Sequence, residues 1–167
     1  MPELSRRVQT FTDSVIRRMT RINNMTPGSI NLSQGFPDFD PPQEILDALK
    51  EAAEHGPHQY SITFGAKNFR DALAEMYTKK FAREIDPEKE IVVTCGGTEA
   101  MMAAMMTVCN PGDKVAVFSP FYENYGADAI LSGADPVYVP LVPPDFHYDS
   151  EALERAFQAG AKALILC

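Results

Sequence analysis

The segment Val93-Thr94-Cys95-Gly96-Gly97-Thr98-Glu99-Ala100 is where the residue types of this chain come closest to a binding site. A short β-branched run meets two glycines, and helix formers follow. The first turn of a helix carries N–H groups without intrahelical acceptors and a partial positive charge, and glycines let an anion approach the backbone closely. Gly97 and Thr98 are therefore the natural donors of a phosphate cradle, with the Thr98 hydroxyl as one more. The pattern is neither the G-x-x-x-x-G-K-[ST] loop nor the G-x-G-x-x-G fingerprint. By itself it fits a phosphate cradle and a plain helix start with turn glycines equally well. Glu99 suits the helix dipole but repels a phosphate, so its carboxylate is expected to point away.

The elements around this segment follow from periodicity. Val8, Phe11, Val15, Met19 and Ile22 recur every three or four residues and predict one helix over Ser5–Asn23, with Arg6, Arg7, Arg17, Arg18 and Arg21 on its solvated side. Ile30-Asn31-Leu32 reads as a short extended piece. Gln34–Pro42, QGFPDFDPP, holds too many prolines for helix or central strand and is an ordered loop, in which Asp38 and Asp40 are turn residues. Helices are predicted over Gln43–Glu54, stopped by His55-Gly56-Pro57, and after the Tyr60–Lys67 loop, with a Phe69, Leu73, Met76, Tyr77, Phe81 stripe. From Asp86-Pro87 onward the rhythm changes to strand Ile91–Thr94, a Gly96-Gly97 turn, helix Thr98–Cys109, strand Lys114–Phe118, helix Tyr122–Leu131, strand Val137–Leu141, a helix capped by Asp149 or Ser150 and running to Gln158, Gly160, and strand Ala163–Leu166. Such alternation, with continuous apolar strands, makes the chain α/β with a mostly parallel sheet and flanking helices. The last apolar strand has no following helix to cover it, and the chain is expected to be the N-terminal portion of something longer.

Composition removes several classes of function. The chain has 167 residues, and 15 Lys and Arg against 23 Asp and Glu leave a net charge of −8. That is the wrong sign for nucleic acid, yet no obstacle to one phosphate at a helix start. No apolar run approaches the roughly 20 residues that span a bilayer, and Met1–Arg7 has no signal-peptide pattern. Cys95, Cys109 and Cys167 are too few, and odd in number, for a disulfide framework, which points to a reducing, cytoplasmic setting. Cys95 reads as a small core filler, and Met101, Met102, Met105 and Met106 as core packing on a helix apolar nearly all round. His55, His58 and His147 fall in loops without metal-ligand spacing.

Three further segments bear on the glycine turn: Gly35-Phe36-Pro37-Asp38-Phe39; Tyr60 with Gly65 five residues on and Phe69-Arg70 beyond; and Ser119-Pro120-Phe121-Tyr122. With Gly96-Gly97-Thr98, in this order and spacing, they resemble the class I/II aminotransferases, the type I fold of pyridoxal-phosphate enzymes. The resemblance runs from about Ile30 to Cys167 and takes in Asn110-Pro111-Gly112-Asp113. NLSQGFPDF and QYSITFG look most like the aspartate, kynurenine and methionine aminotransferase subgroup. Phe69 departs from the pattern, since Leu usually precedes the Arg.

The resemblance implies a cofactor, pyridoxal 5′-phosphate, and a set of roles. Gly97 and Thr98 hold its phosphate, Tyr122 lies on its ring, Tyr60 reaches across a homodimer interface to the partner subunit's phosphate, and the Gly35 N–H meets the substrate α-carboxylate. It also implies a division into residues 1–42, a helix and loop of the small domain and dimer edge, and 43–167, the first part of a large cofactor-binding domain. The lysine that carries the cofactor, the Asp at the ring nitrogen and the carboxylate-binding Arg belong to motifs that this sequence does not contain; Lys67, Lys79, Lys80, Lys89 and Lys162 read as solvated surface. The implied activity of the complete enzyme is transfer of an amino group from an L-amino acid to a 2-oxo acid, with the 167 residues inactive alone. A C–S lyase of the same fold, or a non-catalytic α/β module that binds a phosphate or a partner, remain the alternatives.

Overall fold

A computed structural model describes residues 3–10 and 13–167. In chain order its elements are a 3₁₀ turn (Arg6–Gln9), α1 (Val15–Asn24), α2 (Gln43–His55), α3 (Lys67–Phe81), α4 (Gly96–Val108), β1 (Lys114–Ser119), α5 (Asn124–Ser132), β2 (Asp135–Val142), β3 (His147–Tyr148), α6 (Ser150–Gln158) and β4 (Ala161–Ile165). They pack as two compact units: the residues up to Arg18 with Cys95–Cys167, and Met19–Thr94.

The first unit is built on a four-stranded sheet in the order β3-β2-β1-β4. β1 is central and runs parallel to both neighbours, pairing Lys114 with Asp135 through Ser119 with Pro140 on one side and Val117 with Ile165 on the other. β3 adds an antiparallel pair at the far edge of β2. Successive strand side chains point to opposite faces. On one face Val115 and Val117 meet Met105 and Cys109 of the α4 end, Ala129 of α5, and Ile165. On the other, Ala116 packs with Val139 and Ala156 of α6. Val115, Ala116 and Val117 are completely buried, which is why the strand reads as an unbroken apolar run.

The turn that feeds β1 is tied by its own side chain. Asn110 N–H donates to the Asp113 carboxylate at 2.7 Å, and Lys162 donates to the same oxygen at 3.1 Å. These donors hold the Asp113 carboxyl below its ordinary range. Gly133, at φ +92°, closes α5, and a Cβ there would stand 3.3 Å from the Pro111 Cα, so glycine serves both the left-handed turn and the close approach. Asp149 caps α6 by accepting from Glu151 N–H at 2.9 Å.

In the second unit, Arg70 is the organising side chain. It is 1% exposed. Its Nε donates to the Gly65 carbonyl at 3.1 Å, Nη1 donates to the Pro87 carbonyl, and Nη2 pairs with Glu88 at 3.2 Å. Gly65 has φ +104°, and a Cβ there would stand 2.6 Å from Val93 Cγ2. The Tyr60–Lys67 loop is thereby fixed against the Asp86-Pro87-Glu88 turn. The apolar stripe of α2 exists as a pattern, but Ile45 and Leu49 are exposed and no residue of that helix is buried.

Several expectations are corrected. The helix expected over Ser5–Asn23 is a 3₁₀ turn and a separate α1. Ser14 accounts for the new start, since its Oγ accepts from Arg17 N–H at 3.1 Å, as an N-cap hydroxyl does, and donates to the Glu123 carboxylate. Phe11 of the expected stripe lies outside the described residues. Arg7 is not merely solvated: its guanidinium donates to the Leu131 carbonyl at 3.1 Å. Ile30–Leu32 and Ile91–Thr94 form no strand, for a ladder needs a neighbouring strand and none pairs with them among the described residues. Val93 N–H instead donates to the Phe64 carbonyl at 3.0 Å. β3 was not anticipated, and His55 closes α2 rather than lying in a loop.

The Arg70 clamp carries a prediction. Arg70→Lys keeps the charge but loses the planar fork, so one ammonium cannot serve the Gly65 and Pro87 carbonyls and Glu88 together, and an acceptor left without its donor costs about 1–3 kcal/mol. Urea denaturation followed by circular dichroism should show a clear drop in midpoint; an unchanged midpoint contradicts the clamp.

Candidate functional site

α4 begins at Gly96, which takes φ +86°, a backbone angle that glycine adopts at no steric cost. The amides of Gly97 and Thr98 belong to the first turn and have no acceptor inside the helix. Around Gly97 a Cβ would meet nothing within 4 Å, and residues 96–100 are all exposed. The helix start is thus open, and a ligand can reach the bare backbone.

The Thr98 hydroxyl is held from the side, with Asn124 Nδ2 donating to it at 3.1 Å. Asn124 is the first residue of α5 and follows Tyr122 by two positions. α5 starts two residues later than the sequence suggested, so Tyr122 lies on the connection from the C-terminal end of β1 rather than in the helix. Its ring is half exposed and meets Tyr125 edge-on, with centroids 5.7 Å apart. Below this, Phe121 stacks on Tyr138 at 5.2 Å, and Gly126 lets α5 lie against the pair.

Glu99 differs from expectation. Its carboxylate turns back and accepts from the Cys95 N–H, because an anion is favoured at a helix start whether it comes from a ligand or from the chain. Cys95 is exposed rather than a core filler, since it stands ahead of the open helix start. Cys109 is the buried cysteine, and burial pushes its thiol up. Of the four methionines, Met105 is buried and Met106 exposed.

The structure thus brings together Gly97, Thr98 and, through Asn124, the Tyr122 segment. Gly35 and Tyr60 belong to the other unit. Both are exposed, Tyr60 fully so. Asn124 was missed in the sequence because an asparagine two residues past an aromatic carries no signal of what it will bond. Lys67, Lys79, Lys89 and Lys162 lie in surface ion pairs, as expected. Among the described residues no cluster of His, Cys, Asp or Glu could hold a metal, and no helix is long and apolar enough to cross a membrane.

An α/β sheet with a glycine-opened helix start and an aromatic beyond the end of a parallel strand is a common frame for phosphate-bearing ligands. The family model for aminotransferase class I and II matches residues 27–167, and the chain belongs to that family. It is 37% identical over 162 residues to a probable N-succinyldiaminopimelate aminotransferase of Mycobacterium tuberculosis, covering 96% of this chain and 41% of the relative. It is 32% identical to kynurenine–oxoglutarate transaminase 3 of Mus musculus, covering 97% and 38%. Among solved structures, one from Escherichia coli with a methionine aminotransferase function superposes with a TM-score of 0.89 at 28% identity, covering 98% of this chain and 43% of that one. The chain therefore spans about 40% of the length of the relatives it matches.

Beneath the site, α5 buries a carboxylate. Asp128 is 4% exposed and its Oδ2 has no hydrogen-bond partner among the described residues; burial raises its pKa. Between the ordinary carboxylate value and the raised one, the folded chain keeps a proton that the unfolded chain has released, so stability falls as pH rises through that window. Asp128→Asn cannot ionise. Its midpoint should match the parent below both values and exceed it increasingly toward neutral pH. A difference independent of pH contradicts the burial cost.

Proposed function

We propose that this chain is the cofactor-anchoring part of a pyridoxal-phosphate-dependent aminotransferase that moves an amino group from an L-amino acid to a 2-oxo acid. Membership of the family and transaminase relatives support the reaction class. The observation that carries the cofactor assignment is the open start of α4. A phosphate needs several N–H donors and room to touch the backbone, and Gly97 offers both, with the Thr98 hydroxyl beside it. The donor set fits the group.

In this reading the amides of Gly97 and Thr98 and the Thr98 hydroxyl hold the phosphate. Tyr122 covers one face of the ring, where offset stacking contributes about 0.5–1.5 kcal/mol beyond area burial. Gly35 offers its N–H to the substrate carboxylate. Tyr60 supplies its hydroxyl to the phosphate of a partner subunit, which makes the working unit a homodimer; the full exposure of this aromatic ring is in keeping with that role. When bound, the cofactor supplies an electron sink for loss of the substrate α-proton. Free thiols at Cys95, Cys109 and Cys167 support a cytoplasmic setting. The division into a small-domain segment, 1–42, and a large-domain segment, 43–167, belongs to the same reading.

Gly97→Asp tests it. The new side chain enters open space and suits a helix start, so thermal melting should hold or rise, while affinity for pyridoxal 5′-phosphate falls at least about tenfold, the equivalent of 1.4 kcal/mol. Cofactor affinity equal to that of the parent overturns the assignment of α4. In the complete homodimer, Tyr60→Phe should weaken cofactor retention by about 0.5–1.5 kcal/mol, and unchanged retention removes Tyr60 from the site.

A further inference from the structure

The hydrogen bond between Asn124 and Thr98 has chemical content beyond packing. A threonine hydroxyl has one proton to give and two lone pairs to accept with. Within a helix it commonly spends the proton on the carbonyl four residues back, and Thr107 of the same helix does so, donating to the Ala103 carbonyl at 2.7 Å. Thr98 is different. Asn124 Nδ2–H fills one of its lone pairs at 3.1 Å, which restrains the side-chain rotamer and does not consume the hydroxyl proton.

The location of Asn124 adds to this. It is half-buried at the first position of α5, directly after Glu123, whose carboxylate accepts from Ser14. Further along, α4 and α5 share one apolar cluster through Met101, Met105, Tyr125 and Ala129. The Asn124–Thr98 bond is therefore a directional polar contact between two helices that also share non-directional apolar packing. It sets the first turn of α4 against the chain that carries Tyr122.

On the reading of α4 as a phosphate cradle, we infer that Asn124 is a positioning residue for the phosphate end of the cofactor: its amide holds the Thr98 hydroxyl as a donor toward the phosphate ester. The residue makes no contact with the reacting atoms. A carboxylate in its place reverses the arrangement, because Asp accepts where Asn donates; it draws the Thr98 proton to itself and puts a negative charge beside the cradle.

The test uses the 167-residue chain and two fluorescent probes, pyridoxamine 5′-phosphate and pyridoxamine, which differ only in the phosphate and, being amines, form no Schiff base with surface lysines. The parent should prefer the phosphorylated probe. Asn124→Ala should weaken binding of that probe by about three- to tenfold and leave pyridoxamine unchanged. Asn124→Asp, of nearly the same shape, should weaken it further. Thr98→Val should match Asn124→Ala, and the double variant should be no worse than the single ones, since both act through one hydroxyl. A merely structural role would lower affinity for both probes alike, and that result overturns the inference, as does an Asn124→Asp variant that binds like the parent. If the parent itself shows no preference for the phosphorylated probe, the cradle reading fails and the inference falls with it. A parent that discriminates while every Asn124 variant matches it removes the inference alone.

Discussion

A helix that starts in the open has amides that its own backbone cannot satisfy, and the first unit of this chain is organised around one such start. The Gly97 and Thr98 N–H groups belong to the first turn of α4, and a Cβ on Gly97 would meet nothing within 4 Å. The chain's own response is visible in Glu99, which bends back to the Cys95 amide. A site that draws in the nearest carboxylate is a site with a field favouring anions. Its value for binding depends on α4 being held rigidly, and that in turn depends on the sheet.

Rigidity comes from β1. Because its side chains alternate between two completely buried faces, β1 cannot slip by one residue without exchanging the cores beneath α4–α5 and α6. The parallel pairing to β2 and β4 and the Asp113 turn fix where β1 begins and where its C-terminal end delivers the Tyr122 segment. α5 then bridges back to Thr98. The same helix carries the buried Asp128, a stability cost borne one turn below the residue that reaches the candidate site.

Much of this was legible in the sequence, and the reasons are physical. α2, α3, α6, β1 and β4 announce themselves by period, by caps at Asp149 and by the glycine at 160, because local geometry decides them. The resemblance carried by Gly96-Gly97-Thr98, Gly35–Phe39, Tyr60–Gly65 and Ser119–Tyr122 led to the family that residues 27–167 match. What the sequence did not show depends on contacts between distant residues. Ser14 starts a new helix in part through Glu123, 109 residues away. Ile91–Thr94 has the composition of a strand without a strand beside it. Arg70 is visible in the sequence as part of a motif, but the three acceptors from two loops that enclose it are not. Asn124 has a role only because α5 docks its first residue on α4.

The most direct measurement is amide nuclear magnetic resonance of the ¹⁵N-labelled chain titrated with pyridoxamine 5′-phosphate. The account predicts that the largest saturable shifts fall on the Gly97 and Thr98 amides, with a matching change at the Asn124 side-chain amide. Saturable shifts centred elsewhere, or none at all, would contradict it.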